Sequence, residues 1–181
     1  MKLLKTDCQP LTGSRRSFTL VELLVVIAII AILAAVIMLA INPIEMMRKA
    51  RDSTRLQDLE NVRKAIDMAI ASEGAAVPNT VNVYQSNTSP NQSCSTTSCG
   101  TGANYSWVCG GINICTFLAA LPRDPVNNAN YFYAFRANGT NYELNAILES
   151  SSAEAQNKMR NDGGDDPNRY EIGTALNLIS P

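Results

Sequence analysis

The sequence predicts an α+β fold in which a long, kinked N-terminal helix packs on a small antiparallel β-sheet head. Two observations predict this fold. An uninterrupted apolar run is followed by an amphipathic stretch with helical spacing, and the two together predict one long helix over residues 18–73. The second half of the chain has short alternating segments bounded by turn residues, which are typical of antiparallel strands.

The apolar run extends from Leu23 to Ile41 without a glycine, a proline or a charge. At about 1.5 Å per helical residue it is roughly 28 Å long, close to the hydrocarbon thickness of a bilayer. A globular core helix keeps a polar face for solvent, and this run has none. The run therefore predicts a membrane span.

Glu22 lies at the start of that span, where a carboxylate is unfavourable by up to roughly 2.5–3.5 kcal/mol if it is held at the bilayer centre. The nearest cations, Arg15 and Arg16, precede it by almost two helical turns and would lie at the headgroups. We therefore expect that Glu22 has no partner within its own segment and that it pairs with a group from another chain.

The segment that carries these features is residues 17–33, Ser-Phe-Thr-Leu-Val-Glu-Leu-Leu-Val-Val-Ile-Ala-Ile-Ile-Ala-Ile-Leu. It resembles the signature of type IV pilins and type II secretion pseudopilins. The resemblance implies that a prepilin peptidase cuts between Ser17 and Phe18, and that Phe18 is then N-methylated. It also implies that Glu22 meets the N-terminal ammonium of a neighbouring subunit. The family usually has glycine where this chain has Ser17, and glycine is common at the position of Ala31.

The resemblance also implies a pilin-like domain organisation. Residues 1–17 would be the leader, 18–41 the transmembrane and polymerisation helix, 42–74 the amphipathic second half of that helix, and 75–181 the globular head. The precursor would cross the cytoplasmic membrane once and then join a cell-surface filament. Its implied partners are the prepilin peptidase, an inner-membrane assembly platform and identical subunits.

Other export signals and a plain anchor are the alternatives to this interpretation. An ordinary secretory signal has a shorter apolar core and a small-x-small site soon after it. A twin-arginine signal at residues 14–18 would have a less apolar core and would give no reason for Glu22. A plain single-pass anchor is the remaining alternative.

The resemblance implies a filament subunit, and composition argues against two other classes of function. The chain has no histidine, which excludes histidine-based catalysis and histidine metal sites. Loss of the leader would leave eleven basic and fifteen acidic side chains, a balance that argues against a nucleic-acid surface. The large, cysteine-bearing head favours a type IV pilus subunit. The alternatives are a type II secretion pseudopilin and a minor pilin with an adhesive or DNA-uptake role.

The cysteines decide the orientation, because basic residues flank both ends of the span almost equally. Once Cys8 is lost with the leader, four cysteines remain: Cys94, Cys99, Cys109 and Cys115. An even set in a short, loop-rich region predicts two disulfides and an oxidising compartment outside the membrane. Cys94–Cys99 with Cys109–Cys115 is the preferred one of three connectivities, and a metal site is the alternative.

Asn42-Pro43 ends the lipid run and predicts a kink or local melting of the helix at Pro43. Beyond it, apolar residues at helical spacing predict a stripe made of Leu56, Leu59, Val62, Ile66, Ala69 and Ile70. Gly74 is the predicted helix stop. We expect the basic cluster at residues 48–55 to be solvated or to face the headgroups, with pairing to acidic residues of neighbouring subunits as the alternative.

The head is predicted to begin with a loop at residues 75–102 and to continue as a small sheet. Residues 105–109 and 112–118 are expected to form short strands, or a strand and a turn. Residues 131–135 and 142–148 predict a hairpin with a type I′ turn at Asn138-Gly139, one face of which rests on the long helix. Residues 121–125, Leu-Pro-Arg-Asp-Pro, resemble the Leu-Pro-x-Asp-Pro segment of pseudopilins and many short pilins.

The last candidate site is the loop at residues 161–168, whose oxygen ligands and glycines are compatible with Ca²⁺. The predicted ligands are Asp162, Asp165 and Asp166. Some secretion pseudopilins bind calcium in a C-terminal loop, which favours this prediction by resemblance. A solvated loop without metal is the alternative, and no other cofactor is predicted.

Overall fold

The computed structural model describes residues 18–40, 42–74, 77, 79–80, 82–87, 107–109 and 112–180. The chain divides into two units, Met1–Pro43 and Ile44–Pro181. The first unit contains helix α1 (Leu20–Ala40). In order, the remaining elements are α2 (Pro43–Glu73), β1 (Tyr84–Gln85), β2 (Tyr133–Ala137), β3 (Tyr142–Ala146), α3 (Ala153–Arg160) and β4 (Tyr170–Gly173). The α+β prediction is confirmed.

The predicted long helix is interrupted at Pro43. Helix α1 ends at Ala40 and α2 begins at Pro43, while Asn42 is not helical and Ile41 lies outside the described residues. Proline suits the first position of a helix because its missing amide would have no partner there. It also disfavours helical geometry in the residue before it. The sequence therefore located the break, and the structure has two helices at this point.

Helix α2 presents its predicted apolar stripe to the head. The buried residues that α2 contributes to the main core are Leu59, Val62, Ala65, Ile66 and Ala69. The sheet contributes Tyr133, Phe135, Ala137, Tyr142, Leu144 and Ala146 from one face. The helix is followed by Gly74 at φ +58°, as the predicted stop requires. The prediction that one face of the hairpin rests on the helix is confirmed.

The sheet is antiparallel throughout, with its four strands in the order β1-β2-β3-β4. Two tyrosines tie its helix-facing side to α2. The hydroxyl of Tyr133 donates to Asp58 at 2.8 Å, and that of Tyr142 donates to Asp67 at 2.5 Å. The sheet is thus fixed to the helix by hydrogen bonds as well as by apolar contact.

The predicted type I′ turn is wrong. Ala137 pairs with Tyr142, so four residues connect β2 and β3. A type I′ turn needs positive φ at both central residues, whereas Gly139 has φ +84° and Asn138 is not in this region. The Asn138 side chain explains the longer loop, because its Oδ1 accepts the backbone N–H groups of Thr140 and Asn141.

Other parts of the head also differ from the predictions. Among the described residues, 107–109 and 112–118 contain no strand, and Ile114 to Leu118 form a turn closed by bonds to the Ile114 carbonyl. Tyr105 lies outside the described residues. Strand β1 arises within the predicted loop, and α3 and β4 arise in a stretch for which no regular element was predicted.

The second face of the sheet is buried as well. Phe132, Ala134 and Ile179 form a small apolar cluster on it, which brings the C-terminal segment, residues 174–180, against β2. Next to this cluster, Glu143 and Glu171 are 0% and 2% exposed. This burial was not predicted, because polar residues that alternate along a strand normally face solvent.

Candidate processing and assembly site

The start of α1 forms a reciprocal cap between Thr19 and Glu22. The Thr19 hydroxyl accepts the backbone N–H of Glu22 at 3.2 Å. Glu22 Oε2 in turn accepts the backbone N–H of Thr19 at 3.1 Å and the Thr19 hydroxyl at 3.2 Å. This is the Thr-x-x-Glu capping box, in which two otherwise unpaired amides at a helix start are satisfied.

The expectation that Glu22 has no partner within its segment is therefore wrong. That expectation considered cations alone, whereas the first amides of a helix are also good donors to a carboxylate. The four-residue pattern Thr19-x-x-Glu22 is the sequence signal that would have shown it. The cap does not neutralise the carboxylate charge, and both of its bonds to the carboxylate use the same oxygen, Oε2.

The predicted cleavage position lies immediately before this cap. Phe18 is 81% exposed and precedes the first helical residue, Leu20, by two positions. Ser17 lies outside the described residues, so the cleavage and methylation predictions remain predictions. The part that the structure describes places Phe18 one residue from the capped helix start.

Helix α1 is apolar on all sides, and residues 20–37 of it are exposed in the described part of the structure. The window Leu20–Ile37 has a mean hydropathy of 3.2, and none of it is buried. Among the described residues it is the one helix long and apolar enough to cross a membrane. A helix with apolar side chains on every side and no covering from its own chain requires lipid or other protein around it.

The family comparison agrees with this geometry. Residues 13–38 match the family model for the prokaryotic N-terminal methylation motif, which includes the cleavage position, the cap and most of α1.

The chain carries the prepilin motif. This motif is the hallmark of type IV pilin and pseudopilin prepilins, and it implies processing by a prepilin peptidase and a membrane-anchored precursor. No curated protein and no solved structure matches the chain.

The basic cluster at residues 48–55 was predicted to be solvated or to face the headgroups, and the structure differs from this for two of its arginines. Arg55 is fully buried and pairs within the chain, with Asp52 at 2.8 Å, Asp124 at 2.5 Å and Glu149 at 2.6 Å. Arg51 also pairs with Glu149, at 2.6 Å. Both arginines are therefore paired within the chain, Arg55 with three carboxylates and the partly exposed Arg51 with Glu149. Arg48 and Lys49 are exposed, as predicted.

Arg55 connects α2 to two distant segments of the head. Asp124 belongs to the Leu-Pro-Arg-Asp-Pro segment, and its Oδ1 also accepts the backbone N–H groups of Val126 and Asn127. Glu149 follows β3. Burial lowers the pKa of Arg55, but hydrogen bonds to Asp124 and Glu149 more than offset this, so the pKa lies above its ordinary value. The hydrogen bond from Arg51 lowers the pKa of Glu149.

Two of the four predicted disulfide cysteines, Cys109 and Cys115, lie among the described residues. Cys109 is buried and Cys115 half-buried, and both take part in disulfide bonding. Cys94 and Cys99 lie outside the described residues. The predicted connectivity therefore remains a prediction.

Two of the three carboxylates of the predicted calcium loop, Asp162 and Asp166, are engaged with their own chain. Asp162 accepts the backbone N–H groups of Gly164 and Glu171, and Asp166 pairs with Arg169 at 3.2 Å. Within the described residues, no group of three acidic or cysteine side chains is arranged to hold a metal ion. Calcium binding at Asp162, Asp165 and Asp166 remains a prediction. Equal thermal stability with calcium and with chelator would exclude it.

Proposed function

We propose that this chain is the structural subunit of an extracellular type IV pilus, and that it is not an enzyme. In this proposal, prepilin peptidase cleaves between Ser17 and Phe18, and Glu22 then pairs with the Phe18 ammonium of the next subunit. The prepilin motif and the uncovered apolar helix α1 support it. The membrane before assembly and identical helices after assembly would each cover such a surface.

The cap at Thr19 is the observation that supports the role of Glu22. It holds the carboxylate at the start of α1, one turn from the amine that cleavage would create. Its two bonds to the carboxylate use Oε2, and no described residue donates to Oε1. An ammonium from a neighbouring subunit can therefore bind Oε1 without displacing the cap. A charge-assisted bond of that kind is roughly twice as strong as a neutral one.

Three variants separate the charge of Glu22 from its capping role. Glu22→Ala removes both, Glu22→Gln keeps an oxygen that can accept the Thr19 amide but removes the charge, and Thr19→Ala removes the hydroxyl while keeping the charge. We expect all three to insert, since loss of a cap destabilises a helix by only about 1 kcal/mol. Both Glu22 variants are expected to be cleaved and to form no ordered filament, whereas Thr19→Ala is expected to polymerise.

The measurements are membrane fractionation, mass spectrometry of the N-terminus and electron microscopy of sheared filaments. They require a host with the peptidase and the assembly platform. Normal filaments from Glu22→Ala would refute the assembly role. If Thr19→Ala abolished filaments while both Glu22 variants formed them, the Thr19 hydroxyl and not the charge of Glu22 would be the essential feature.

The type II secretion pseudopilin is the second candidate, because the prepilin motif is common to both classes. The length of the polymer distinguishes them. A pilus subunit forms long filaments that shear from the cell surface at native expression levels. Failure to recover such filaments, together with loss of protein secretion on deletion, would favour the pseudopilin.

A further inference from the structure

The loop between β2 and β3 carries an asparagine in a pattern that occurs once in the chain. Asn138 is the only asparagine in the sequence that a glycine follows. Asn138, Gly139 and Thr140 are all exposed. Glycine has no side chain to shield its backbone nitrogen, so the Gly139 nitrogen can reach the side-chain carbonyl carbon of the residue before it. Neither the prepilin motif nor the proposed filament uses this residue.

The Asn138 side chain is folded back on its own backbone. Its Oδ1 accepts the backbone N–H of Thr140 at 3.1 Å and that of Asn141 at 2.8 Å. The Asn138 N–H in turn donates to the Asn141 carbonyl at 3.0 Å. These bonds limit rotation of the side chain and keep its amide group next to the peptide bond that joins Asn138 to Gly139.

The two donors also favour attack on the side-chain carbonyl. Addition of a nitrogen to Asn138 Cγ places negative charge on Oδ1, and the backbone amides of Thr140 and Asn141 already point at that atom. Donors that are held ready for a developing oxyanion lower the barrier to addition. Attack from within the same chain also avoids the entropy cost of bringing two molecules together.

A second loop has the same hydrogen bonds without the glycine. Asn128 Oδ1 accepts the backbone N–H groups of Asn130 and Tyr131, each at 2.9 Å. The Asn128 N–H donates to the Tyr131 carbonyl at 2.9 Å. Asn128 is exposed as well, but the residue after it is Ala129. The two loops therefore differ at the position that would supply the attacking nitrogen, which makes Asn128 an internal control.

We propose that Asn138 is a site of spontaneous deamidation in the folded chain. Solvent hydroxide removes the Gly139 amide proton, and the nitrogen forms a bond to Asn138 Cγ. The bond from Cγ to Nδ2 then breaks, and ammonia leaves with a proton from water. Water opens the resulting succinimide at either carbonyl, which gives aspartate or isoaspartate. The net reaction consumes water and releases ammonia, with no oxidant or reductant.

The two products differ in their effect on the loop. An aspartate at position 138 can accept the same two amides, so the loop is kept and gains a negative charge. Isoaspartate carries the main chain through the former side chain, which lengthens the backbone and moves the acceptor of both bonds into it. A backbone bridge joins Asn79 to Asn138 here, and Thr80 donates to the Ala137 carbonyl beside it at 2.9 Å. Isoaspartate should therefore loosen the contact between residues 79–80 and the end of β2.

Peptide mass spectrometry of the full chain, incubated in detergent micelles at mildly alkaline pH, tests the proposal. We expect conversion at Asn138 to be at least about tenfold faster than at Asn128, because the two share their hydrogen bonds and differ in the residue that follows. Conversion should also become faster as the pH rises, because the amide nitrogen must first lose its proton. Conversion at Asn138 no faster than at Asn128 would overturn the proposal.

Two variants assign the effect to the glycine. Gly139→Ala shields the nitrogen, and conversion at Asn138 should fall to the rate at Asn128. Gly139 has φ +84°, where alanine is strained, so a second variant is made in the other loop. Ala129 is not in the positive-φ region, and Ala129→Gly should raise conversion at Asn128 by about tenfold. Unchanged conversion at Asn128 in this variant would overturn the role of the loop. Both readouts use the purified chain, so neither depends on filament assembly.

Discussion

Single side chains set the electrostatics of this molecule. Arg55 is surrounded by three carboxylates at 2.5–2.8 Å in a site closed to solvent. Opposite charges of this kind stabilise one another when they are hydrogen-bonded as well as paired. Removal of one member leaves the remaining charges buried without a partner. The free energy lost in this way is larger than the net stabilisation that the intact pairing provides.

Replacement of Arg55 by methionine should therefore be strongly destabilising. The change leaves Asp52, Asp124 and Glu149 without their shared cation, and breaking a buried pair in this way costs about 3–5 kcal/mol. The free energy of unfolding of the full chain in urea and detergent micelles measures it. Arg48→Ala is the matched control. It removes an exposed partner of Glu45 and should cost less than about 1 kcal/mol. Equal losses in the two variants would contradict the role of Arg55.

The docking of the sheet on α2 depends on tyrosines that bring a hydroxyl group to the helix. Tyr133 is fully buried, and its hydroxyl reaches Asp58 at 2.8 Å. Burial raises the pKa of Asp58, and the bond from Tyr133 acts in the opposite direction. The helix–sheet contact is therefore an apolar core with polar bonds at its margin.

Tyr133→Phe removes that hydroxyl and leaves the Asp58 carboxylate without its donor. We expect a loss of about 1–3 kcal/mol in the free energy of unfolding and a further rise in the pKa of Asp58. Chemical denaturation and carboxyl NMR titration measure the two effects. Tyr84→Phe, on the edge strand β1, should be close to neutral, because no described residue bonds to its hydroxyl. Equal effects of the two changes would contradict this account of the docking.

The elements with strong local patterns could be predicted from the sequence. Helix α1 is a long apolar run, α2 has a periodic apolar stripe, and Pro43 marks the break between the two helices. The pairing of Arg55 with Asp124 could not be predicted, because 69 residues separate the two in sequence. Helix α3 has eight residues and two buried side chains, so its stability depends on tertiary packing.

The candidate processing and assembly site could also be predicted, because its signal is local in sequence. The predicted assembly segment, residues 17–33, is contiguous in sequence, and even its cap is a four-residue pattern. The buried pair on the second face is different, because Glu143 alternates with apolar residues and so resembles a solvent-facing position. Its burial depends on a C-terminal segment that lies 35 residues further along the chain.

At the scale of the whole head, Glu149 and Glu171 have pKa shifts of opposite direction, and both make the free energy of unfolding depend on pH. Glu149 has a lowered pKa, so its contribution is present above its unfolded pKa near 4.5 and is lost as the pH falls below it. Glu171 has a raised pKa, so its contribution is present below 4.5 and is lost as the pH rises to about 8.

We therefore expect the head to be most stable in mildly acidic solution, close to pH 5. Urea midpoints of the full chain in micelles between pH 3 and 9 measure this dependence. Glu171→Gln should flatten the alkaline side of the profile and leave the acidic side unchanged. A maximum above pH 8 would contradict the raised pKa of Glu171.

The cap at the start of α1 also affects how a single subunit behaves before it meets another. The Thr19 amide and hydroxyl donate hydrogen bonds to Glu22 Oε2, so the donors of this carboxylate belong to its own helix start. If the chain forms the proposed filament, a subunit that diffuses in the bilayer before assembly would thus keep its Glu22 carboxylate hydrogen-bonded. Separate subunits could then persist in the membrane for as long as polymer growth is slower than synthesis.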